Sequence, residues 1–391
     1  MSLSAMTNWA WLEQAKGRFT WGFGLRVIIK AAALFVALNV IFALIDPMDT
    51  LGRISLYNRI LPGRERLPYG ENAAQSYNIS LFNIPAMFAT HEISADKADD
   101  EFRVLLMGDS STWGWLLDHD ETLAAQINAG EYVTDDGRRV VAYNVGYPIM
   151  SLTKDVLLID YAMRYQPDMV VWLITAESFP RDRQLEAPIV RNNRERVQEL
   201  IEMGVAINPD DPQLIQSDFW DKTLIGQRRE LADLLWLQAY GFSWKSTGID
   251  QFIPDTYELR SSDFDEAVSW HEFDAPQEFT IDDLAFDVLA AGIERIEAEG
   301  IPVLLVNEPM FISDGENSDL RYNFFYPRWA YDGYRQLLTD VADERGWTVL
   351  DLWDVLPPDA FTDSPVHTTP EGARRVAEMI APSIQGRGGG D

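Results

Sequence analysis

The chain has 391 residues, 47% of them hydrophobic, enough for one large domain or two ordinary ones with a sizeable core. It has no cysteine, which excludes disulfides and cysteine-based zinc sites, and any imidazole chemistry must use His91, His119, His271 or His367. Its net charge of −30 excludes the basic face that nucleic acid requires, and suits neutral or cationic substrates.

The charge is unevenly spread. Residues 1–66 hold eight Lys/Arg against four Asp/Glu, a net of +4, so residues 67–391 carry −34. Within the basic part stands "RVIIKAAALFVALNVIFALIDP" at 26–47, whose 19 residues Val27–Ile45 are interrupted only by Lys30 and Asn39. At about 1.5 Å per residue this run nearly covers a hydrocarbon core of roughly 30 Å, with Lys30 placed to snorkel. Lys16, Arg18 and Arg26 precede it, among Trp9, Trp11, Trp21 and Phe23. A positive flank with interfacial aromatics puts residues 1–23 in the cytoplasm and the body outside. No small-x-small site follows the run, so residues 24–46 read as an uncleaved single-pass signal anchor; the alternative is a buried core helix. Residues 47–100, rich in turn formers and charge, read as a connecting segment. The tail 386–391, "GRGGGD", reads as disordered.

From residue 101 to 385 apolar runs and amphipathic stretches alternate. Strands are expected in "FRVLLMGD", "RVVAYNVGYP", "PDMVVWLITAES", "PVLLVNEP" and "WTVLDLW", with helices in "DETLAAQINAG", "KDVLLIDYAMRYQ", "IDDLAFDVLAAGIERIEAEG" and "YDGYRQLLTDVADERG" and after Pro370. Apolar strands separated by such helices mean a doubly wound parallel sheet covered on both faces, with ligands at the strands' carboxyl ends. Residues 180–278 interrupt the pattern. They hold Arg181, Arg183, Arg191, Arg194 and Arg196, a helix expected over "DKTLIGQRRELADLLWLQAYG", and Trp220, Trp236, Trp244 and Trp270. An insertion leaving the ligand-binding edge is a lid or substrate platform, or else a helical appendage solvated by its arginines.

Ser110, Gly146, Glu177 and Asn307 all fall at strand carboxyl ends. Ser110 follows a strand at a glycine-permitted turn, so its own N–H can face a site, and Gly146 in "YNVGYP" offers a second N–H. His367 precedes a helix with Thr368 or Thr369 as cap, Pro370 at its first position and Glu371 in its first turn. Asp363 in "TDSPVH" supplies a carboxylate. A serine hydroxyl becomes a nucleophile when a carboxylate-held histidine takes its proton, and the oxyanion then needs preorganised donors. The bland alternatives are a cap for Ser110, a loop histidine for His367 and a turn for Gly146. Ser111 is the nearest competing nucleophile, Asn144 and Asn307 are substitute donors, and His119 reads as surface. Trp113 and Trp115 could stack a sugar face or simply pack. No cluster has metal-ligand spacing and no phosphate loop appears, so no cofactor or metal is expected.

Three blocks resemble the SGNH/GDSL hydrolase superfamily, over roughly residues 102–178 and 279–383. "GDSSTWG" resembles its nucleophile block at Gly108, Asp109, Ser110, Thr112 and Gly114. "NVG" resembles the block whose glycine N–H helps form the oxyanion hole, at Gly146. "DSPVHTTPEG" resembles its acid–histidine block at Asp363 and His367. The resemblance implies a three-layer α/β/α, flavodoxin-like fold and an acyl-serine mechanism at Ser110, His367 and Asp363, with the N–H groups of Ser110 and Gly146 holding the oxyanion. Two departures stand out. Glu177 in "ITAES" occupies the family's asparagine position, where an ionised carboxylate would repel an oxyanion and only a protonated one could substitute as donor, the alternative being a structural acid hydrogen-bonded near the site; and Asp363 lies four rather than three residues before His367. The superfamily includes membrane-linked enzymes acting on envelope polysaccharides, so an anchored serine hydrolase or O-acyltransferase acting on acylated glycans or small esters is expected. A non-catalytic glycan-binding or assembly module beside a membrane acyltransferase is the alternative.

Overall fold

The structure is a computed structural model that describes residues 20–52, 54, 60–61, 63–69, 82–215 and 218–386. Residues 1–19 of the expected cytoplasmic segment and 387–391 of the expected disordered tail lie outside these. The chain divides into two compact units, Met1–Asp49 with Ser217–Leu231, and Thr50–Gln216 with Ala232–Asp391.

The first unit is built on helix α1, Trp21–Ile45, which Thr20 caps by accepting from the Phe23 N–H at 3.2 Å. Its most apolar stretch has a mean hydropathy of 2.5, and only 11% of that stretch is buried, so it is long and apolar enough to cross a membrane and is not a core helix. Asn39, with Lys30, interrupts the apolar run. Its amide donates to Phe35 O at 2.9 Å, and its oxygen accepts from the Ile225 N–H at 3.1 Å. Residues 218–226 are a chain of turns: Asp218 Oδ1 takes the Trp220 N–H, and the Thr223 hydroxyl takes the Gly226 N–H. Those turns replace the start of the helix expected over 221–241, which instead runs Arg228–Thr247 and passes through Gly241.

The second unit is a five-stranded parallel sheet of β1 (Glu101–Met107), β2 (Arg139–Asn144), β3 (Met169–Ile174), β4 (Val303–Asn307) and β5 (Val349–Asp351), in the order β2-β1-β3-β4-β5. The reversal of direction next to β1, with helices on both faces, is the flavodoxin-like doubly wound order, so the expected three-layer α/β/α class holds. Alternation along each strand divides the core. Leu105, Met107, Val170, Trp172 and Ile174 face one layer, which includes helices α2 (Ile84–Thr90), α3 (Leu152–Ala162), α4 (Phe286–Glu297) and α5 (Arg328–Arg345). Val104, Leu106, Val171 and Leu173 face the other, with α6 (Leu123–Ala129) and α7 (Pro370–Gln385). Each fully buried Leu or Val stabilises the fold by roughly 1.5–3 kcal/mol.

The stretch expected to be connecting contributes to this core. Leu67, Ile84, Met87 and Phe88 are wholly buried, and Arg66 is buried across the ring of Trp113. Two parts of the insertion do likewise: Leu185, Ile189, Val190, Val197 and Leu200, and then Trp270 and Phe273.

Candidate active site

β1 ends at Met107, and the chain turns through Gly108 and Asp109 into the short helix Ser110–Trp113. Asp109 caps that helix, its Oδ1 accepting from the Ser111 N–H at 2.8 Å. Gly108 is required here, because a Cβ would lie 2.2 Å from the Thr112 hydroxyl. As first residue of the helix, Ser110 has no intrahelical acceptor for its N–H.

The second half of the site arrives 257 positions later. Phe361 and Thr368 bridge antiparallel, the Thr362 N–H donates to His367 O at 2.9 Å, and Thr369 caps α7 by accepting from the Gly372 N–H. Pinned between bridge and helix, His367 places Nε2 2.8 Å from Ser110 Oγ and Nδ1 2.8 Å from Asp363 Oδ1. Burial raises the Asp363 carboxyl, but the hydrogen bond from His367 and its charge outweigh that and hold it below the usual carboxylate range. Trp115 stacks on the His367 ring, with centroids 5.9 Å apart. Trp113 is fully buried and donates to Leu67 O at 2.7 Å, so it packs and is out of a sugar's reach.

The other expected donors have partners of their own. The Gly146 N–H donates to Asn144 Oδ1 at 3.1 Å, and a Cβ at Gly146 would lie 2.6 Å from Trp113 N, so glycine permits this close approach. Asn144 also donates to Trp113 O at 3.2 Å. Asn307 bonds Asp351, Tyr331 and Tyr334. Both Asn307 amide hydrogens are thus engaged, and Asn144 has one of its two given a partner. Glu177 is buried, with one oxygen on His271 Nε2 and Arg183 3.9 Å away. Burial lowers the basicity of His271, yet Glu177 and then Asp182 more than restore it, so its affinity for a proton rises. Asp182, His271 and Glu272 bring ligand atoms within 4.8 Å of one another and could hold a cation.

The other two histidines lie apart from the Asp363–His367–Ser110 row. His91 accepts at Nδ1 from the Ile93 N–H, so Nε2 carries the hydrogen bonded to Asn144 O, and burial pushes its pKa down to about 4. His119 is 3.7 Å from Glu65 and half-buried.

A buried charge cluster under Ser110 has no sequence motif. Lys154, at the first turn of α3, is fully buried. It donates to Gly108 O at 2.8 Å and Tyr147 O at 2.9 Å and pairs with Asp155 at 2.5 Å. Glu308, one residue past β4, is buried beside Ser111. Burial and then the charge of Asp109 keep its carboxyl well above its ordinary range. The pair "KD" at a helix start, next to a "GD" strand end, is the faint signal that could have found Lys154.

A cleft of about 390 Å³ opens over Ser110, lined also by Ile149, Met150, Arg183, Glu186, Arg191 and Phe325. Ile149 adopts a φ of 115°, a left-handed conformation that strains a β-branched residue.

The sheet and this row of carboxylate, imidazole and hydroxyl define a doubly wound α/β protein with a serine-hydrolase-type arrangement at its strand ends. Among solved structures it is similar to a GDSL-like lipase from Bacteroides thetaiotaomicron (13% identity, 74% of this chain and 91% of that one, TM-score 0.35). It is also similar to a carbohydrate acetylesterase family member from Sinorhizobium meliloti (12%, 72% and 96%, TM-score 0.33) and a lipase/acylhydrolase from Enterococcus faecalis (15%, 73% and 96%, TM-score 0.35). No protein-family model and no curated protein sequence matches the chain.

Proposed function

We propose that the chain is a membrane-anchored serine hydrolase or O-acyltransferase of the SGNH/GDSL type, acting outside the cytoplasm on acylated glycans or small esters. The observation that carries this reading is the unbroken row Asp363–His367–Ser110, with two contacts of 2.8 Å. Those lengths suit proton transfer without rearrangement. Ser110 Oγ attacks the ester carbonyl and its proton passes to His367 Nε2, while Asp363 holds the ring and stabilises its charge. The tetrahedral oxyanion is held by the Ser110 N–H and by the Gly146 N–H, once the latter exchanges Asn144 Oδ1 for the more strongly charged acceptor. Collapse expels the alcohol, which takes the proton from Nε2 and leaves an acyl-serine. Water then completes hydrolysis, or a sugar hydroxyl completes transfer, by the same steps reversed.

A fluorophosphonate probe is expected to label the full-length chain at Ser110 and to leave Ser110→Ala unlabelled. Equal labelling of the two removes Ser110 as nucleophile. The anchor, with its N-terminus cytoplasmic, is supported by the length and apolarity of α1 and its positive flank. The full-length chain is therefore expected in the membrane fraction, and its recovery without detergent counts against the anchor.

A second reading rests on Glu177 and on the engaged Gly146 amide. An acid at the asparagine position and an occupied donor suit a glycan-binding or assembly module beside a membrane acyltransferase. Glycan binding without probe labelling favours it.

A further inference from the structure

The basic run of the insertion divides when its partners are placed. Arg181 pairs with Asp287 at 2.6 Å, Arg196 lies 3.7 Å from Asp160, and Arg183 pairs with Glu186 at 2.8 Å. Arg191 has no carboxylate partner among the described residues, yet it lines the cleft that contains Ser110. It is also held in place. Its Nε donates to Leu185 O at 2.8 Å, its N–H to Ala187 O, and its carbonyl accepts from Ile215. Among the described residues this leaves the two Nη groups, with four N–H donors, for something else.

In a chain of net charge −30, a guanidinium with no carboxylate partner among the described residues, lining the same cleft as Ser110, is locally the opposite of the whole. The long-range field resists anions, whereas the cleft offers one a fork at hydrogen-bonding range. Arg183 adds a second positive group whose charge Glu186 offsets, and Phe325 gives the same cleft an aromatic wall. Ile149, held at a strained φ on the cleft lining, is a cost that surrounding packing must meet, as is common where a binding surface is shaped.

We propose that the cleft over Ser110 selects esters whose sugar or acyl part carries an anionic group, with Arg191 as the residue that reads it. This departs from the neutral or cationic substrates that net charge suggests, and it rests on the chemistry proposed for Ser110. Carboxylate and phosphate offer a guanidinium the same paired oxygens, so the experiment separates them.

Full-length Ser110→Ala protein in detergent is titrated calorimetrically with D-glucuronate, glucose 6-phosphate and glucose. At least one anionic sugar is expected to bind tenfold or more tightly than glucose, and whichever binds tighter names the anion. Adding Arg191→Gln is expected to abolish the preference. Arg191→Lys, which keeps charge but not the fork, is expected to retain part of it. The preference should also shrink between 50 mM and 500 mM salt. Equal binding of all three sugars overturns the proposal, and so does a preference that survives Arg191→Gln. Wild-type protein labelled by fluorophosphonate but showing no preference refutes the anion site alone. An anion preference without labelling refutes the hydrolase reading alone.

Discussion

Asp363 reaches His367 although one extra residue separates them. The surplus is absorbed by the loop: Pro365 turns its carbonyl to the Phe311 N–H at 2.7 Å, and the Phe361–Thr368 bridge closes the base. The side chains therefore meet at the usual distance, and the spacing departure has a local cause. Asp363→Asn keeps the shape but removes the charge that fixes the ring's tautomer. Turnover of 4-nitrophenyl acetate is expected to fall by about 10³–10⁴; a loss below tenfold means that another group orients the ring. Ser110, His367 and Asp363 are legible in sequence because each sits where an apolar run stops or a capped helix starts. The engagement of Gly146 by Asn144 is not legible, since a glycine after a strand looks the same with its amide free or bonded. Nor is the pairing of Glu177 with His271, 94 residues apart with no periodicity linking them.

The start of α3 holds the site's floor together. Lys154 joins two carbonyls, one from the end of β1 and one from the loop after β2, and Asp155 balances its charge while accepting from Trp172 at 3.1 Å. Removing one member strands the other in a dry interior, which costs more than the pair itself contributes. Lys154→Met is expected to lower unfolding stability by about 3–5 kcal/mol in denaturant titration. Lys154→Met with Asp155→Leu should recover part of that; a double variant no more stable than the single one shows that the pair is not the cause. The strands and their flanking helices are legible because a fully buried parallel sheet demands apolar runs that amphipathic periodicity then interrupts. The helix expected over 221–241 is displaced to Arg228–Thr247, because Asp218 and Thr223 satisfy backbone donors in turns before any helix begins. A hydrophobic pattern cannot register that competition.

Over the whole molecule, one buried acid, Glu92, makes stability fall toward alkaline pH. Burial, and then the neighbouring Glu65, lift the Glu92 carboxyl to about 8, with Lys245 and Arg103 opposing and Glu101 reinforcing. The native state thus keeps a proton that the unfolded chain releases. The stabilisation is complete below the ordinary glutamate range and is lost as pH rises through about 8. Glu92→Gln is expected to be more stable than wild type at pH 9, by on the order of a few kcal/mol, and to show little gain at pH 4. Thermal melts at the two pH values check this, and an equal shift at both assigns the effect to packing.

The bond from Ile225 to Asn39 has a practical corollary for anyone preparing the protein. The apolar N-terminal rod supplies an acceptor to a peptide group that comes much later in the chain, and Lys222 lies 3.3 Å from Asp46 at the rod's end. Trimming the gene to discard the apolar N-terminal stretch therefore also removes the partners of a later turn segment. It strips residues 218–226 of these partners in a segment whose Phe219, Trp220 and Ile225 are already exposed, so the loosened turns would carry an apolar patch prone to association.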